Sequence, residues 1–494
     1  MQLFRTKSLE AIQSDVGSDD DAGTGSVGHL QKRLSARHLI GFGIGVVIGT
    51  GIFTLTGIQA RETAGPAVVI SFALAGVVAL LAALCYAELA SSVPTAGSAY
   101  TYAYATTGEL LAWVIGWDLF LEFAFGAAVV ARGWSAYIGN LLDLPPSLFG
   151  EEATGNVGAA FIVVVLTLVA VLGIKESARV TNVLVVVKVA VCVFVVVTGI
   201  WFVKGANLTP FVPAGQPSED TGGLAQPLIS LIAGLEPATF GIGGVLTAAA
   251  VVFFAYTGFE AVANLSEETR KPSRDVPLGL LGTLGVATAL YIGVAFVVVG
   301  MVKYTDIDAG APIADAFDQV GLGWASSLIS LAAVAGLTSV ILVDLLTVSR
   351  IGFAMGRDGL LPPAIAKVSP RTGTPVRMTL VYAAAVLVTA TFVPLESLAN
   401  LVSIGTLFAF VLVSIAVPVL RRTRPDLPRS FRVPLSPIVP VLSALACLYL
   451  MLNLEVETWL RFLAWLLIGL VIYALYGYRH SRVGHEERVA RGKG

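Results

Sequence analysis

The chain has 494 residues, of which 56% are hydrophobic and 13% charged, and its mean hydropathy is +0.83. That composition describes an integral membrane protein, not the several soluble domains that length alone would suggest. The net charge of −2, with basic residues gathered beside apolar segments, excludes nucleic acid as a partner.

Residues 1–28 are rich in Ser, Gly and Asp, with no apolar core, and read as part of a disordered tail, not a signal peptide. A membrane-crossing helix needs roughly 20 apolar residues. Twelve stretches qualify, near 38–60, 66–92, 110–140, 157–174, 180–203, 241–265, 278–302, 322–349, 376–393, 396–420, 437–453 and 458–477. The expectation is therefore an all-α polytopic membrane protein with twelve spans. The third stretch is long enough to tilt or project, and only Pro394 splits the ninth from the tenth. The loop at 204–240 is rich in Pro, Gly and polar residues, with room for a short surface helix. With the N-terminal tail on the cytoplasmic side, 25 Lys and Arg fall inside and only four outside. That bias supports the span count and puts both termini in the cytoplasm. Cys85, Cys192 and Cys447 lie within apolar segments, so no disulfide framework is implied. His29, His38, His480 and His485 lie outside them, which argues against a histidine metal site or an intramembrane relay. No metal or cofactor is expected.

The first span carries five glycines between Gly41 and Gly51. Either the helix breaks around Gly49-Thr50-Gly51, or the glycines form a tight packing face. Irregular backbone in lipid is tolerated only inside protein or along a cavity, and broken helices of this kind build transporter sites. The sixth span echoes it: Thr257-Gly258-Phe259 repeats Thr50-Gly51-Ile52. Spans five apart run in opposite directions, so the echo is that of an inverted repeat, unless the Thr-Gly pairs coincide by chance. Two helices broken at mid-depth leave free N–H groups at one half-helix start and free carbonyls at the other's end. Such a pair of poles suits a zwitterion, and an amino acid is the obvious one.

Several motifs together are similar to those of the amino acid–polyamine–organocation transporters. They are Gly45-x-x-Ile48-Gly49-Thr50-Gly51-Ile52-Phe53, Glu88-Leu89-Ala90 with Pro94-x-x-Gly97-Ser98-x-Tyr100-x-Tyr102, and Phe253-Phe254-Ala255-Tyr256-x-Gly258-Phe259-Glu260. Glu267-Glu268-x-x-x-Pro272-x-Arg274-x-Val276-Pro277 and Arg350 with Arg357-Asp358-Gly359-Leu360-Leu361-Pro362 complete the set. Gly116-Trp117-Asp118-x-x-Leu121-Glu122 resembles the cationic amino acid transporter branch. The resemblance implies a five-plus-five inverted-repeat core with discontinuous first and sixth helices. The chain then divides into a tail (1–37), two repeats (38–203 and 241–420) around the outer loop (204–240), two peripheral spans (421–478) and a second tail (479–494). It also implies L-amino acid import or exchange by alternating access at the cell membrane. The substrate carboxylate would meet N–H groups near Thr50 and Gly51. The amino group would meet carbonyls near Val47 and Ile48, and near Phe254, Ala255 and Tyr256, beside Gly258.

An ionisable group at membrane depth is costly and marks function by default. Lys188 stands alone in the apolar fifth span. The resemblance implies that its ammonium bridges the broken first helix to Thr338 or Ser339 and carries the coupling proton. The alternative is a permanently charged structural tie. Asp118 and Glu122 lie one turn apart in the third span, and Glu122 could hold a cationic substrate or a proton, line the path, or be a satisfied structural carboxylate. Arg132 is an external gate or an anchor, Glu260 caps or gates the inner half-helix, and Glu88 makes a gate or loop contact. Asp344 departs from the small or apolar residue expected there. It favours a basic side chain or joins a gate with a nearby arginine. A channel would show a filter motif or rings of charge, and an enzyme a convergent His, Asp or Cys set within the spans; neither is seen. The functional expectation is a proton-coupled secondary amino acid transporter. A sodium- and proton-independent exchanger and a membrane amino acid sensor are the alternatives.

Overall fold

The computed structural model describes residues 5, 34–92, 100, 103–104, 108–151, 153–172, 178–217, 223–236, 238–265, 269–367, 369, 374–423, 425 and 429–485. Nearly all of the expected N-terminal tail, and the motif residues Pro94, Gly97, Ser98, Tyr102, Glu267 and Glu268, lie outside the described residues.

Among the described residues, eight helical runs are long and apolar enough to cross a membrane, and four shorter apolar helices accompany them. Together they cover all twelve expected stretches. The first expected span is divided between a short helix, Ala36–Val47, and the start of the long run Gly51–Ser91. That run turns at Gly65, whose φ of 63° is open to glycine at no steric cost. The ninth and tenth spans, Val376–Phe392 and Leu395–Thr423, are separated by Val393 and Pro394 alone.

The loop near 204–240 contains the short helix Leu228–Ala233, as its composition suggested. It also holds a two-stranded antiparallel pairing of Gln216–Pro217 with Ala238–Thr239, a small exception to an all-helical chain.

The third and eighth spans, Glu109–Leu142 and Gly323–Arg357, are the longest helices and share the most extensive interface. Around them the second span packs on the seventh, Pro272–Met301, and the tenth packs on the third. Small residues allow this closeness: Gly133 of the third span lies so near Thr50 that a Cβ there would come within 2.7 Å of its hydroxyl oxygen.

Two buried charges tie the frame. Glu88 at the end of the second span accepts two bonds from Arg421, at 2.8 and 2.6 Å, and a third from the Val433 amide at 2.7 Å. It therefore makes the loop contact expected of it. Arg132, fully buried, is an anchor. Its Nε donates to the Ala390 carbonyl at 2.9 Å, Nη2 to those of Ala153 and Thr391 at 2.9 and 3.0 Å, and Nη1 to that of Glu151. One guanidinium thus closes the C-terminal end of the ninth span onto the third and the loop after it. A lysine presents a single nitrogen in place of this fork. Arg132→Met should lower stability by about 3 kcal/mol, because buried carbonyls lose charge-assisted partners. Arg132→Lys should recover less than half of that. Thermal melting of the detergent-purified protein measures both, and an unchanged midpoint for Arg132→Met would remove the anchoring role.

Candidate functional site

The two interruptions foreseen from the Thr-Gly pairs are present. The first helix ends at Val47, and Ile48 turns extended (φ −75°, ψ 99°). Helical geometry resumes at Thr50 and runs to Ala64. The sixth span, Gly241–Val252, tightens into a 3₁₀ turn at Phe253–Tyr256. It then extends at Thr257 (ψ 154°), passes Gly258 at φ 90° and continues as Phe259–Leu265. Only glycine adopts such a φ without strain, and it is also the residue that fits here, since a Cβ would come 2.8 Å from Val46. The breaks touch directly. A Cβ on Gly51 would lie 2.4 Å from the Ala255 Cα.

The half-helix starting at Thr50 exposes its first N–H groups, which have no acceptor within the helix. Thr50 is fully buried, and its hydroxyl has no hydrogen-bond partner among the described residues. At the carbonyl pole the picture is more occupied than expected. Tyr291 of the seventh span, fully buried, places its hydroxyl 2.8 Å from the Val47 carbonyl and 2.9 Å from that of Ala255. The Phe254 carbonyl accepts the hydroxyl and the amide of Thr257, at 2.9 and 3.2 Å. The Tyr256 side chain points away and donates to the Phe72 carbonyl at 2.8 Å. On the other side of the break, Tyr137 donates to the Phe53 carbonyl at 2.6 Å.

A cavity of about 40 Å³ sits between the breaks, lined among others by Val47, Thr50, Gly51, Phe254, Ala255 and Gly258. It is about the size of one or two water molecules. Glu122 and Asp344 also line it, from the third and eighth spans. Glu260 is buried at the start of the second half of the sixth span, and Asp118 one turn below Glu122. Among the described residues no arginine is seen in an ion pair with Asp344. A separate, larger pocket of about 690 Å³ is lined by Arg61, Glu62, Asn140, Asp143, Glu151 and Asp308, among others.

Lys188 does reach the first helix. Its Nζ donates to the Gly45 carbonyl at 2.8 Å, three residues before the break. Its stem crosses the eighth span at Gly336, where a Cβ would come 2.8 Å from Lys188 Cε and 3.0 Å from Cγ. The hydroxyls of Thr338 and Ser339 donate to their own helix, at Val334 and Gly336, both at 2.8 Å. Thr338 also accepts the Trp134 indole N–H at 3.0 Å.

Tyr291 was not foreseen. Its signal was a lone phenol deep in an apolar span, a group that must find a partner for its hydroxyl when buried. Tyr291→Phe should destabilise the protein by about 1–3 kcal/mol, the cost of leaving a buried carbonyl without a donor. Thermal melting reads this, and a variant as stable as the parent would show that the phenol does not hold the two breaks.

The family model described as amino acid permease matches residues 34–475. The chain is 42% identical over 489 residues to the methylthioribose transporter of Bacillus subtilis (strain 168), covering 97% of this chain and 98% of that protein. It is also 42% identical to the branched-chain amino acid permease BcaP of the same organism, over 97% of this chain and 99% of that one. To the vacuolar cationic amino acid transporter 4 of Arabidopsis thaliana it is 39% identical, over 80% of this chain and 64% of that protein. These matches bear out the resemblance drawn from the motifs.

Proposed function

This chain belongs to the amino acid permease family, and we propose that it is a secondary active L-amino acid transporter driven by protons and working by alternating access. The observation that carries the reading is the meeting of two interrupted helices around one cavity, lined by the start of a half-helix at Thr50 and Gly51 on one side and by Phe254 and Ala255 on the other. An α-amino acid complements both poles: its carboxylate takes the N–H groups of Thr50 and Gly51, and its ammonium the carbonyls near Ile48 and Ala255. The cavity is smaller than an amino acid, so binding requires the helices around it to part. A barrier that opens to one side at a time is what alternating access demands. The relatives' names, a methylthioribose transporter among them, point to small-molecule transport and leave the substrate class to this chain's own pocket.

Proton coupling is assigned to Lys188. Its ammonium holds the first half-helix through Gly45, so loss of its proton would release the segment that must move. The five-plus-five division of the chain, the cell membrane and cytoplasmic termini belong to the same proposal, supported by the excess of Lys and Arg on one face. Its partners in this reading are the substrate, the proton and the bilayer.

Reconstitution into liposomes with an imposed inside-alkaline gradient tests the reading. Labelled amino acid should accumulate, and collapsing the gradient should abolish accumulation. Lys188→Ala should remove gradient-driven uptake, while Lys188→Arg should retain the tie to Gly45 and lose the pH dependence. Uptake by Lys188→Ala with the parent's pH dependence would refute the coupling role. Substrate binding without uptake or exchange would favour a sensor, and exchange indifferent to both sodium and protons would favour an exchanger.

A further inference from the structure

Two spaces in the molecule share a pair of walls. The third span lines the small cavity as far as Val130 and the pocket of about 690 Å³ from Ala136 onward. The half-helix after the first break lines the cavity at Thr50 and Gly51, and its far end lines the pocket at Arg61. At about 1.5 Å of rise per residue, roughly 9 Å of the third span separates the two spaces. The pocket is rimmed by exposed residues, Arg61, Asp143 and Asp308 among them, so it is open to solvent where the cavity is not.

The interval between them has a specific filling. Val130, Gly133, Tyr137 and Asn140 follow one another at spacings of three, four and three, and so share one stripe of the helix. Gly133 presents bare backbone to Thr50. One turn further along, Tyr137, fully buried, donates to the Phe53 carbonyl at 2.6 Å. Its ring also meets that of Phe53 edge-on, with centroids 5.9 Å apart and planes at 79°. Phe53 lies in a π turn, Gly51–Leu55, a rare geometry found frequently at functional sites. The hydroxyls of Thr50 and Thr54, both fully buried, have no partner among the described residues. They do not tie this half-helix to the third span, and the phenol does. Gln59 ties the same half-helix to the tenth span, donating to Glu396 at 2.7 Å, but neither residue is among those described as lining either space. That second tie is therefore off the route between the spaces, and the phenol is on it.

We propose that Tyr137 is the latch of the outer barrier: while its hydroxyl bonds the Phe53 carbonyl the central cavity is sealed, and when that bond breaks the larger pocket becomes the chamber through which substrate reaches the breaks. The assignment rests on the transporter reading above and names the surface along which the helices around the small cavity part. A phenol suits the task. Its bond is strong while the interval is dry, and once the helices separate, water from the chamber serves both donor and acceptor, so opening strands neither. The acceptor is main chain, held in place for reclosure whatever side chain the substrate carries.

The test puts a reporter cysteine, Val130→Cys, on the cavity wall of a chain in which Cys85, Cys192 and Cys447 are replaced by alanine. A charged methanethiosulfonate that cannot cross the bilayer is added to right-side-out or to inside-out vesicles. From the outside, Tyr137→Phe should raise the labelling rate about fivefold, the ratio that one ordinary hydrogen bond supports. From the inside the rate should not rise, because population is drawn toward the outward-open form. Asn140→Cys, on the chamber wall, should label from the outside at one rate with or without the phenol, which also shows that the variant is folded. Equal rises from both faces would mean that Tyr137 only stiffens the packing, and would overturn the proposal. Unchanged rates would overturn it too, as would labelling of Asn140→Cys from the inside alone. Failure of the parent to take up any amino acid would instead sink the transporter reading, and the labelling rates would still decide the latch.

Discussion

Main-chain groups released from a helical ladder inside a membrane can be satisfied only by the protein or by what the protein binds. Two helices of this chain release such groups at the same depth, and much of the surrounding architecture can be understood as providing for them. Tyr137 takes up the Phe53 carbonyl, Thr257 that of Phe254, and Lys188 that of Gly45. Tyr291 stands between the carbonyls of Val47 and Ala255 with a single proton for two acceptors. Gly49, Thr50 and Gly51 of one break and Phe254, Ala255 and Gly258 of the other line the cavity. The site is thus the remainder of an otherwise completed set of hydrogen bonds. Its shape depends on side chains from the third, fifth and seventh spans as much as on the broken helices.

The buried charges separate into two kinds by the same accounting. Arg132 and Glu88 are saturated, each with partners on elements distant in the chain. They hold the frame of the third, ninth and tenth spans in register. The carboxyls of Asp118, Glu122 and Glu260, by contrast, meet no arginine or lysine in an ion pair among the described residues. Saturated charge stiffens a structure, whereas unsaturated charge answers to a ligand or a proton. The molecule places the first kind around its frame and the second around its cavity.

Much of this was legible in the chain itself. Gly49-Thr50-Gly51 and Thr257-Gly258 pointed to both breaks, although glycine at mid-span also serves close packing, and apolar length with the Lys and Arg bias pointed to the spans. Lys188 stood out by its isolation in an apolar span, and its bond to Gly45 ties the fifth span to the first. Hidden were the contacts whose partners are remote in sequence. Glu88 and Arg421 are 333 residues apart, and Tyr291 meets Val47 across 244. Nothing in the local pattern around either residue encodes such a meeting. Arg132 could be recognised as buried, but whether it opposed a charge or gathered carbonyls depended on where the ninth span ended. Asp344 was noticed as out of place, yet its lack of an arginine partner emerged only once the eighth span was set beside the third.

The groove in which Lys188 lies has a consequence of its own. The ammonium reaches Gly45 because its stem crosses the eighth span where Gly336 offers bare backbone. A single methyl group added to that glycine would occupy the volume of the lysine's own methylenes, and a side chain only 1% exposed has little room to detour. The smallest steric change available to a protein would then act at a distance as the removal of a cation from the first helix. Drift at an apparently inert position could untie the first helix from the fifth while leaving every ionisable residue intact.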